Sequence, residues 1–319
     1  MRLPPGAPGA RISGLGQYRP HRVVTNDELA QTIDTSDEWI RTRVGIRQRH
    51  FAAEGETLVD MAAAAGGKAI AASGLGTDEI DLLIMATCTP PSPIPGVAPT
   101  VADRLGLLSP GAFDVNAACA GFCYALSSAA DAIRSGSAER VLVIGAELLT
   151  DWVHPLDRGT AIIFGDGAGA AVVVAADEPG IGPVVWGSDG SKREAIIVRE
   201  RTMLMEMDGQ SVFRWATTKL APVVRDICTR SGIELSDLDV FIPHQANLRI
   251  IDALVRGLGL SADVAVGRDI VETGNTSSAS IPLALTRMLE RGEAKSGDLA
   301  LVLGFGAGLT FAGQVLVCP

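Results

Sequence analysis

One cysteine lies where a nucleophile is expected, at the point where a strand-like segment enters a helical pattern. The segment Ala112–Phe122 runs through small residues, with Cys119 at the start of the helix. There a thiol lies beside unpaired backbone N–H groups and the positive end of the helix dipole, so we expect a lowered pKa and a reactive thiolate. The alternative is a small buried apolar residue, the role we assign to Cys123.

A histidine and an asparagine in the second half of the chain are the candidate partners of this thiol. His244 follows the strand-like run Val240–Pro243, and ligands of open α/β sheets bind at such strand ends. Asn275 lies in a loop rich in Gly, Ser and Thr, where asparagine is otherwise typical of turns and helix N-caps. If the two halves of the chain pack around a pseudo-twofold axis, both side chains converge with Cys119 on one cleft.

These three residue types suit a decarboxylative condensation of two thioesters. Loss of CO2 from a malonyl thioester builds negative charge on the thioester oxygen, and the N–H groups of His244 and Asn275 can stabilise that enolate. The carbanion then attacks an acyl group carried on Cys119. The acyl-transfer oxyanion needs separate backbone N–H donors, for which the turn Gly304–Leu309 is a candidate. The alternative role for this turn is a glycine-rich phosphate-binding loop. A P-loop would be followed by a Lys-Ser/Thr pair, which is absent here.

The composition indicates a soluble globular protein and excludes several other classes. The chain of 319 residues has a net charge of -10 and a pI of about 4.9, without a basic tract for nucleic acid. Apolar stretches such as Ala168–Ala176 are too short to span a membrane, and Met1–Gly14 has no signal-peptide core. The five cysteines form no CxxC pair, which argues against disulfide and zinc frameworks. We therefore predict a cytoplasmic protein with no metal, no permanently bound cofactor, and no membrane or nucleic-acid partner.

Strand-like and helix-like segments alternate along the chain, which predicts an α/β fold with mixed sheets. The predicted strands are Leu82–Ala86, Val141–Gly145, Ala170–Val174, Val240–Pro243 and Ala300–Gly304. The predicted helices are Thr57–Ser73, Gly121–Ser135, Phe213–Ser231 and Ser280–Arg291.

The chain repeats one pattern at a nearly constant offset, which indicates two duplicated halves. The run around Asp81 matches that around Asp239 at an offset of 158, and the strand ending at Gly145 matches the one ending at Gly304 at an offset of 159. Between these matches, each half has a loop of small residues that opens a helix. The alternative is that any two βαβ units look alike at this level. The predicted boundary lies in a polar turn and separates residues 1–177, which carry the cysteine, from residues 178–319, which carry His244 and Asn275.

Six motifs occur in order along nearly the full length of the chain. They are Ser36-Asp37-Glu38-Trp39-Ile40 with Arg43 and Gly45-Ile46-Arg47; Ala117–Phe122; Phe164–Ala170; His244–Asn247; Gly274–Ser277; and Gly304–Gly308. Their joint order resembles the β-ketoacyl-acyl-carrier-protein synthase III family of the thiolase superfamily. The resemblance implies a five-layered αβαβα thiolase fold and a homodimer. It also implies a ping-pong reaction in which acyl-CoA loads the cysteine and malonyl-acyl-carrier protein then supplies two carbons.

The resemblance implies roles for individual residues. Cys119, His244 and Asn275 match the family triad, and the backbone N–H groups of Cys119 and Ala307 match its acyl oxyanion hole. The positions similar to the CoA contacts are Trp39, Arg43, Arg158 and Asn247, and those similar to the carrier-protein dock are Arg214, Arg249 and Arg256. The implied acyl pocket, which suits a primer of about 2–5 carbons, comprises Leu149, Phe164, Met205, Phe213 and Phe305, with Ile94 reaching in from the other subunit.

The sequence leaves other functions open. Between Gly190 and Met205 the chain is several residues shorter than the family pattern, which would open the acyl channel or mark a specialised primer or acceptor.

A priming synthase of a polyketide pathway would use the same chemistry. Two further alternatives are an acyltransferase that uses an oxygen or nitrogen acceptor and a non-catalytic dimer partner. The intact triad argues against the non-catalytic partner. A degradative thiolase would need a cysteine in place of Ala307, and an elongating synthase a histidine in place of Asn275.

Overall fold

Two five-stranded sheets lie at the centre of the computed structural model, which describes residues 5–319. The strands are β1 (Gly9–Tyr18), β2 (Arg22–Thr25), β3 (Gln48–Phe51), β4 (Leu82–Ala86), β5 (Gly111–Val115), β6 (Arg140–Glu147), β7 (Gly167–Ala176), β8 (Val185–Ser188), β9 (Ile196–Val198), β10 (Met205–Met207), β11 (Val240–Pro243), β12 (Ala265–Val266), β13 (Leu299–Gly306) and β14 (Thr310–Val317). The helices are α1 (Asn26–Leu29), α2 (Asp37–Val44), α3 (Leu58–Ser73), α4 (Val97–Leu105), α5 (Gly121–Arg134), α6 (Gly209–Ser231), α7 (Leu248–Leu258), α8 (Ile270–Thr273) and α9 (Ser280–Glu290).

The two sheets repeat one strand order and one set of strand directions. The first sheet has the order β1-β7-β6-β4-β5, and the second has the order β8-β14-β13-β11-β12. In each sheet the last three strands are parallel, and the first two are joined to them by antiparallel pairing. This topology confirms the predicted duplication. Strand β7 ends at Ala176, and the division into units of residues 1–177 and 178–319 stays a prediction.

Helices form three layers around the two sheets, so the fold has the predicted five layers. Helices α3 and α4 cover the outer face of the first sheet, and α6 and α7 cover that of the second. Helices α5 and α9 fill the space between the sheets. Their buried faces are rich in alanine, including Ala125 and Ala129 of α5 and Ala284 of α9, which lets the layers pack closely. Both central helices begin at the contact between the halves.

Helix ends follow local capping chemistry, and most predicted bounds agree with it. The Thr57 hydroxyl accepts from Asp60 N while the Asp60 carboxylate accepts from Thr57 N, so α3 begins with a capping box. Strands β4 and β11 have the predicted bounds. Helix α6 begins at Gly209 rather than at the predicted Phe213, because the Asp208 carboxylate caps it by accepting from Ser211 N at 3.1 Å.

Within residues 5–319, the structure contains no helix that combines the length and the apolar character needed to cross a bilayer. All five cysteines are among the described residues, and each is a free thiol. Two of them, Cys119 and Cys123, are buried at the beginning of α5, where the two halves meet.

Candidate active site

The loops that carry Cys119 and Asn275 bend in the same way. Ala118 and Ser277, which are equivalent in the two halves, have positive φ angles of 46° and 48° although neither is glycine. In each loop an asparagine accepts a hydrogen bond across the bend, Asn116 Oδ1 from Ala118 N at 3.2 Å and Asn275 Oδ1 from Ser277 N at 2.8 Å. The duplication therefore builds one bend twice, and each bend leads through a 3-10 turn into a central helix.

Each bend packs against a glycine in the central strand of the opposite half. A Cβ atom on Gly145 of β6 would lie 2.5 Å from the Ser278 carbonyl oxygen, and one on Gly304 of β13 would lie 2.8 Å from Ala120 Cα. Both distances exclude any side chain, so only glycine allows the bends to approach the strands this closely. This reciprocal packing brings the two bends together where the halves meet.

A cavity of about 1030 Å³ opens beside the two bends. Cys119, His244 and Asn275 all line it, so the structure brings the three candidate catalytic residues to one place. Ala307 lines it as well. The cavity also collects most of the other predicted contact residues, namely Trp39, Arg43, Leu149, Arg158, Phe164, Met205, Phe213, Arg214, Asn247, Arg249 and Phe305.

Burial controls the protonation of Cys119. It raises the pKa of the thiol to about 11, although hydrogen bonds from the Ser277 hydroxyl and from the N–H groups of Cys119 and Ala307 lower the pKa. The lowered pKa that the helix start predicts is therefore wrong, because the loss of water around the sulfur outweighs the local dipole. The two backbone N–H groups nevertheless converge on the sulfur, where the oxygen of a bound acyl group would lie.

His244 is a neutral imidazole whose proton is on Nε2. Burial lowers its pKa to about 3. Its Nδ1 lies 2.7 Å from Ser280 Oγ, and the same oxygen accepts from Gln245 N at 3.3 Å. Among the described residues Ser280 Oγ has no other acceptor for its hydroxyl proton, so we assign this proton to the contact with Nδ1 and the imidazole proton to Nε2. The Phe305 ring packs edge-on against the imidazole at 5.3 Å between centroids.

Asn275 lines the cavity with an amide whose NH2 group is left to donate. Its Oδ1 is occupied by Ser277 N, so the other end of the amide carries the donor. The backbone is tied to the first half of the chain, since Asn275 N donates to Ile163 O at 2.8 Å and Gly165 N donates to Asn275 O at 3.0 Å. The cavity therefore contains two neutral N–H donors, from His244 and Asn275, on fixed supports.

Aromatic and basic side chains form one connected group at the cavity. The guanidinium carbons of Arg43 and Arg158 lie 5.6 Å and 4.7 Å from the Trp39 ring centroid. Asn247 caps α7 by accepting from Arg249 N at 2.9 Å, and its side-chain amide donates to Arg43 O at 3.4 Å. The structure thus brings together the four residues predicted to contact CoA.

The three arginines predicted for carrier-protein docking are all exposed, but only two line the cavity. Arg214 lies on α6, and Arg249 lies on α7 with its guanidinium carbon 5.5 Å from the Phe213 ring centroid. Arg256 lies in the last turn of α7 and is not part of the cavity lining. A docking role for all three stays a prediction.

Both halves of the chain match models of one protein family. The model of 3-oxoacyl-[acyl-carrier-protein (ACP)] synthase III matches residues 113–190, and the model of its C-terminal region matches residues 228–318. The chain is also 51% identical over 325 residues to the β-ketoacyl-[acyl-carrier-protein] synthase III of Streptomyces glaucescens, with 98% of each chain covered. The chain belongs to the β-ketoacyl-acyl-carrier-protein synthase III family.

Crystal structures of synthases agree with the fold. The priming β-ketosynthase from the R1128 polyketide biosynthetic pathway has a TM-score of 0.96 and 45% identity, covering 100% of this chain and 98% of its own. The 3-oxoacyl-[acyl-carrier-protein] synthase III from Aquifex aeolicus VF5 has a TM-score of 0.93 and 40% identity, covering 97% of this chain and 100% of its own. These similarities confirm the predicted thiolase fold.

In this member of the synthase III family, a short hairpin completes the apolar wall of the cavity. Strands β9 and β10 pair antiparallel and contribute Ile196, Ile197, Val198 and Met207 beside the predicted Met205. The segment between Gly190 and Met205 therefore forms part of the wall, and its shortness relative to the family pattern stays a prediction. Ile94 is 85% exposed and does not line the cavity of its own chain, so its role depends on a second subunit and stays a prediction.

Two residues near Cys119 were not predicted from the sequence. Cys88 lines the cavity with its Sγ 3.7 Å from Ser277 Oγ, and both carboxyl oxygens of Glu147 lie 3.4 Å from the same sulfur. Neither residue lies in a recognisable motif. Cys88 comes just after the buried strand β4, and Glu147 is the last residue of β6. Ser277 could have been found from the repeat, since it is the equivalent of Ala118.

We expect the alkylation rate of Cys119 to rise with pH without levelling off below about pH 9. With a pKa of about 11, the thiolate fraction increases roughly tenfold per pH unit through this range. The rate would be measured by iodoacetamide labelling and peptide mass, with Cys119→Ser as the blank. A plateau between about pH 7 and 9 would mean that the helix dipole prevails over burial.

Gly306→Ala is expected to lower the acylation rate of Cys119 on the order of 100-fold. A Cβ atom at this position would lie 2.7 Å from Cys119 Cβ and 2.8 Å from Sγ, and a displacement of about 1 Å at a reacting atom has an effect of that size. Gly257→Ala on α7 is the matched control, because a Cβ there meets nothing within 4 Å. Equal acylation rates in the two variants, measured by intact mass, would contradict the close approach.

Proposed function

We propose that this protein is a β-ketoacyl-acyl-carrier-protein synthase III that condenses a short acyl-CoA primer with malonyl-acyl-carrier protein and so initiates fatty acid synthesis. One observation carries the proposal: Cys119, His244 and Asn275 line the same cavity where the two halves meet. A thiol, a neutral imidazole donor and an amide donor are what acyl transfer followed by decarboxylation requires. Membership of the family supports the same reaction.

Acyl loading begins when the Cys119 sulfur attacks the carbonyl carbon of the acyl-CoA thioester. The thiol proton leaves as the new S–C bond forms and ends on the departing CoA sulfur. The oxygen of the tetrahedral intermediate becomes negative, and the N–H groups of Cys119 and Ala307, which converge near the sulfur, are its donors. The bond to the CoA sulfur then breaks, and the acyl group remains on Cys119.

Condensation begins when the malonyl carboxylate leaves as CO2 and its electron pair forms an enolate. Nε2–H of His244 and the NH2 group of Asn275 donate to the enolate oxygen. Each such donor contributes about 10²–10³ in rate in a water-poor site. The pKa of about 3 keeps the imidazole neutral, so it donates a hydrogen bond without transferring its proton. The enolate carbon attacks the acyl carbonyl, and Cys119 leaves as a thiolate that recovers a proton from water.

The charged residues around the cavity suit two phosphate-bearing substrates. Arg43 and Arg158 can pair with the phosphates of CoA, and the Trp39 ring beside them can stack on adenine. Arg214 and Arg249 are exposed at the cavity on two neighbouring helices. They provide a local positive patch on a chain of net charge -10, and such a patch attracts an acidic carrier protein.

A homodimer formed at the edge of the first sheet is part of the proposal. Strand β5 ends that sheet, and Phe113 on this strand is 44% exposed. Leu108 and Ile94, in the segments that flank α4, are exposed as well. Large apolar side chains beside an unpaired strand edge are typical of an interface. A second copy at this edge would supply the Ile94 that the family resemblance places in the acyl pocket. A cytoplasmic location and the lack of a permanently bound cofactor stay predictions.

A priming synthase of a polyketide pathway is the second candidate. It is favoured by the similarity to the R1128 priming β-ketosynthase, with a TM-score of 0.96 over the whole chain. The loading and condensation steps would be the same, and only the primer and the carrier protein would differ. Parallel assays with carrier proteins of both pathway types would distinguish the two.

Cys119→Ser is expected to abolish acyl loading, whereas Asn275→Ala is expected to load normally and to lose condensation about 100-fold or more. Loading would be measured by intact mass after incubation with short acyl-CoA, and condensation by product formation with malonyl-acyl-carrier protein. Cys228→Ser on α6 is the matched control, because that thiol is not part of the cavity. An acyl adduct that persists in Cys119→Ser would refute the assignment of the nucleophile.

Phe164→Ala is expected to shift the primer preference toward longer chains. A second cavity of about 330 Å³ lies beside the first, and Phe164 is the one residue of the described chain that lines both. Joining the cavities should raise the ratio of kcat/KM for an eight-carbon over a four-carbon acyl-CoA about tenfold or more, since each buried methylene contributes about 1–3 kcal/mol.

Filling the second cavity provides the control for this shift. Ala161 is buried and lines only the second cavity, so Ala161→Leu in the Phe164→Ala background should restore the short-chain preference. If wild-type protein loads normally but Phe164→Ala leaves the ratio unchanged, the two cavities do not limit chain length, and the proposed reaction is unaffected.

A further inference from the structure

A carboxyl group without a charged partner is buried behind the cavity. Glu147, the last residue of β6, has no exposed surface. Its hydrogen-bond partners within residues 5–319 are all neutral: the hydroxyl groups of Thr87 at 3.1 Å, Thr89 at 2.8 Å and Ser278 at 2.7 Å, and the backbone N–H and thiol of Cys88 at 3.0 Å and 3.4 Å. An ionised carboxylate in such a place is strongly destabilised, whereas a neutral carboxylic acid is not.

The hydrogen-bond geometry at Ser278 is best satisfied by a proton from Glu147. Ser278 Oγ lies 2.7 Å from Glu147 Oε1 and 2.9 Å from the carbonyl oxygen of Ala86. A hydroxyl group has one proton, and a backbone carbonyl can only accept. The arrangement that satisfies both contacts is a donation from Glu147 Oε1–H to Ser278 and from Ser278 to Ala86. With an ionised Glu147, one of the two contacts would join two oxygen atoms without a proton.

The other carboxyl oxygen, Oε2, accepts hydrogen bonds as the carbonyl oxygen of an acid should. Thr89 Oγ1 accepts from Leu148 N at 2.9 Å and donates its own proton to Oε2, a carboxyl oxygen 2.8 Å away. Thr87 Oγ1 accepts from Thr89 N at 3.2 Å and donates to Oε2 in the same way. Oε1 also accepts from Cys88 N at 3.2 Å, as a hydroxyl oxygen can while its own proton donates to Ser278. The contacts of the two oxygens together fit a protonated carboxyl group.

The neighbouring titratable groups agree with a neutral Glu147. Burial raises the pKa of this carboxyl group above its usual value. The titratable side chains that face it are the thiols of Cys88 and Cys119, and burial raises the pKa of both. A negative charge at Glu147 would also oppose the thiolate and the enolate that form in the cavity, because like charges repel strongly in a water-poor site.

We propose that Glu147 is a carboxylic acid whose proton holds Ser278 in place and that it thereby positions Asn275 for decarboxylation. Ser278 follows Ser277, whose backbone N–H holds Asn275 Oδ1 at 2.8 Å. A displacement of Ser278 would therefore turn the amide that donates to the enolate. Glu147 touches no substrate and acts as a positioning residue. This role rests on the proposed function, because the amide of Asn275 serves that reaction.

Infrared difference spectroscopy tests the protonation state. The spectrum of wild type minus Glu147→Gln at neutral pH should show the carbonyl band of a carboxylic acid. The matched control Glu139→Gln, at an exposed glutamate just before β6, should show the bands of a carboxylate. Carboxylate bands in the Glu147→Gln difference would overturn the proposal. Should Glu147→Gln fail to fold, Ser278→Ala provides the second test, because loss of the hydrogen bond must shift the acid band of wild type.

Kinetics test the positioning role. Glutamine retains one donor and one acceptor in place of the acid, so Glu147→Gln should condense within about threefold of wild type. Ser278→Ala should lose condensation on the order of tenfold to 100-fold while Cys119 loading changes less. Equal losses of loading and condensation in Ser278→Ala, or no loss of either, would overturn the role. If wild type itself fails to load or condense, the proposed function fails, and the infrared result still decides the protonation state.

Discussion

The reciprocal packing of two bends against two glycines is the contact on which the site depends. Gly145 of one sheet receives the bend of the other half, and Gly304 receives the bend that carries Cys119. Because interiors are packed without room to spare, a side chain at either glycine would push the halves apart. The cavity, the converging N–H groups and the fixed amide of Asn275 all follow from this contact.

The same burial that builds the site keeps it neutral before substrate binds. It raises the pKa of Cys119 and Glu147 and lowers that of His244, and in each case the loss of water is the largest cause. Negative charge then appears only during the reaction, on oxygen atoms that face N–H donors already in place. Such donors act more strongly in a water-poor cavity than in water, because no solvent has to reorganise.

The duplication also places different side chains at two equivalent positions. Cys119 in the first half corresponds to Ser278 in the second, and Gly306 corresponds to Glu147. At the first position, Gly306 leaves space around the sulfur. At the second, the Glu147 carboxyl fills that space and binds the serine hydroxyl at 2.7 Å. One copy of the pair is therefore open to substrate, and the other is closed by a hydrogen bond that holds the donor loop.

The sequence by itself determined the order of strands and helices and the repeat, and it predicted three residues that line one cavity, because these depend on local pattern and on chemistry carried by residue type. Strands β4 and β11 and the start of α5 could be predicted for this reason. Only the tertiary structure decided the pKa of Cys119 and the presence of Cys88 and Glu147 beside it. The helix dipole acts through neighbours in the chain, whereas desolvation depends on residues from the opposite half that no local pattern reveals.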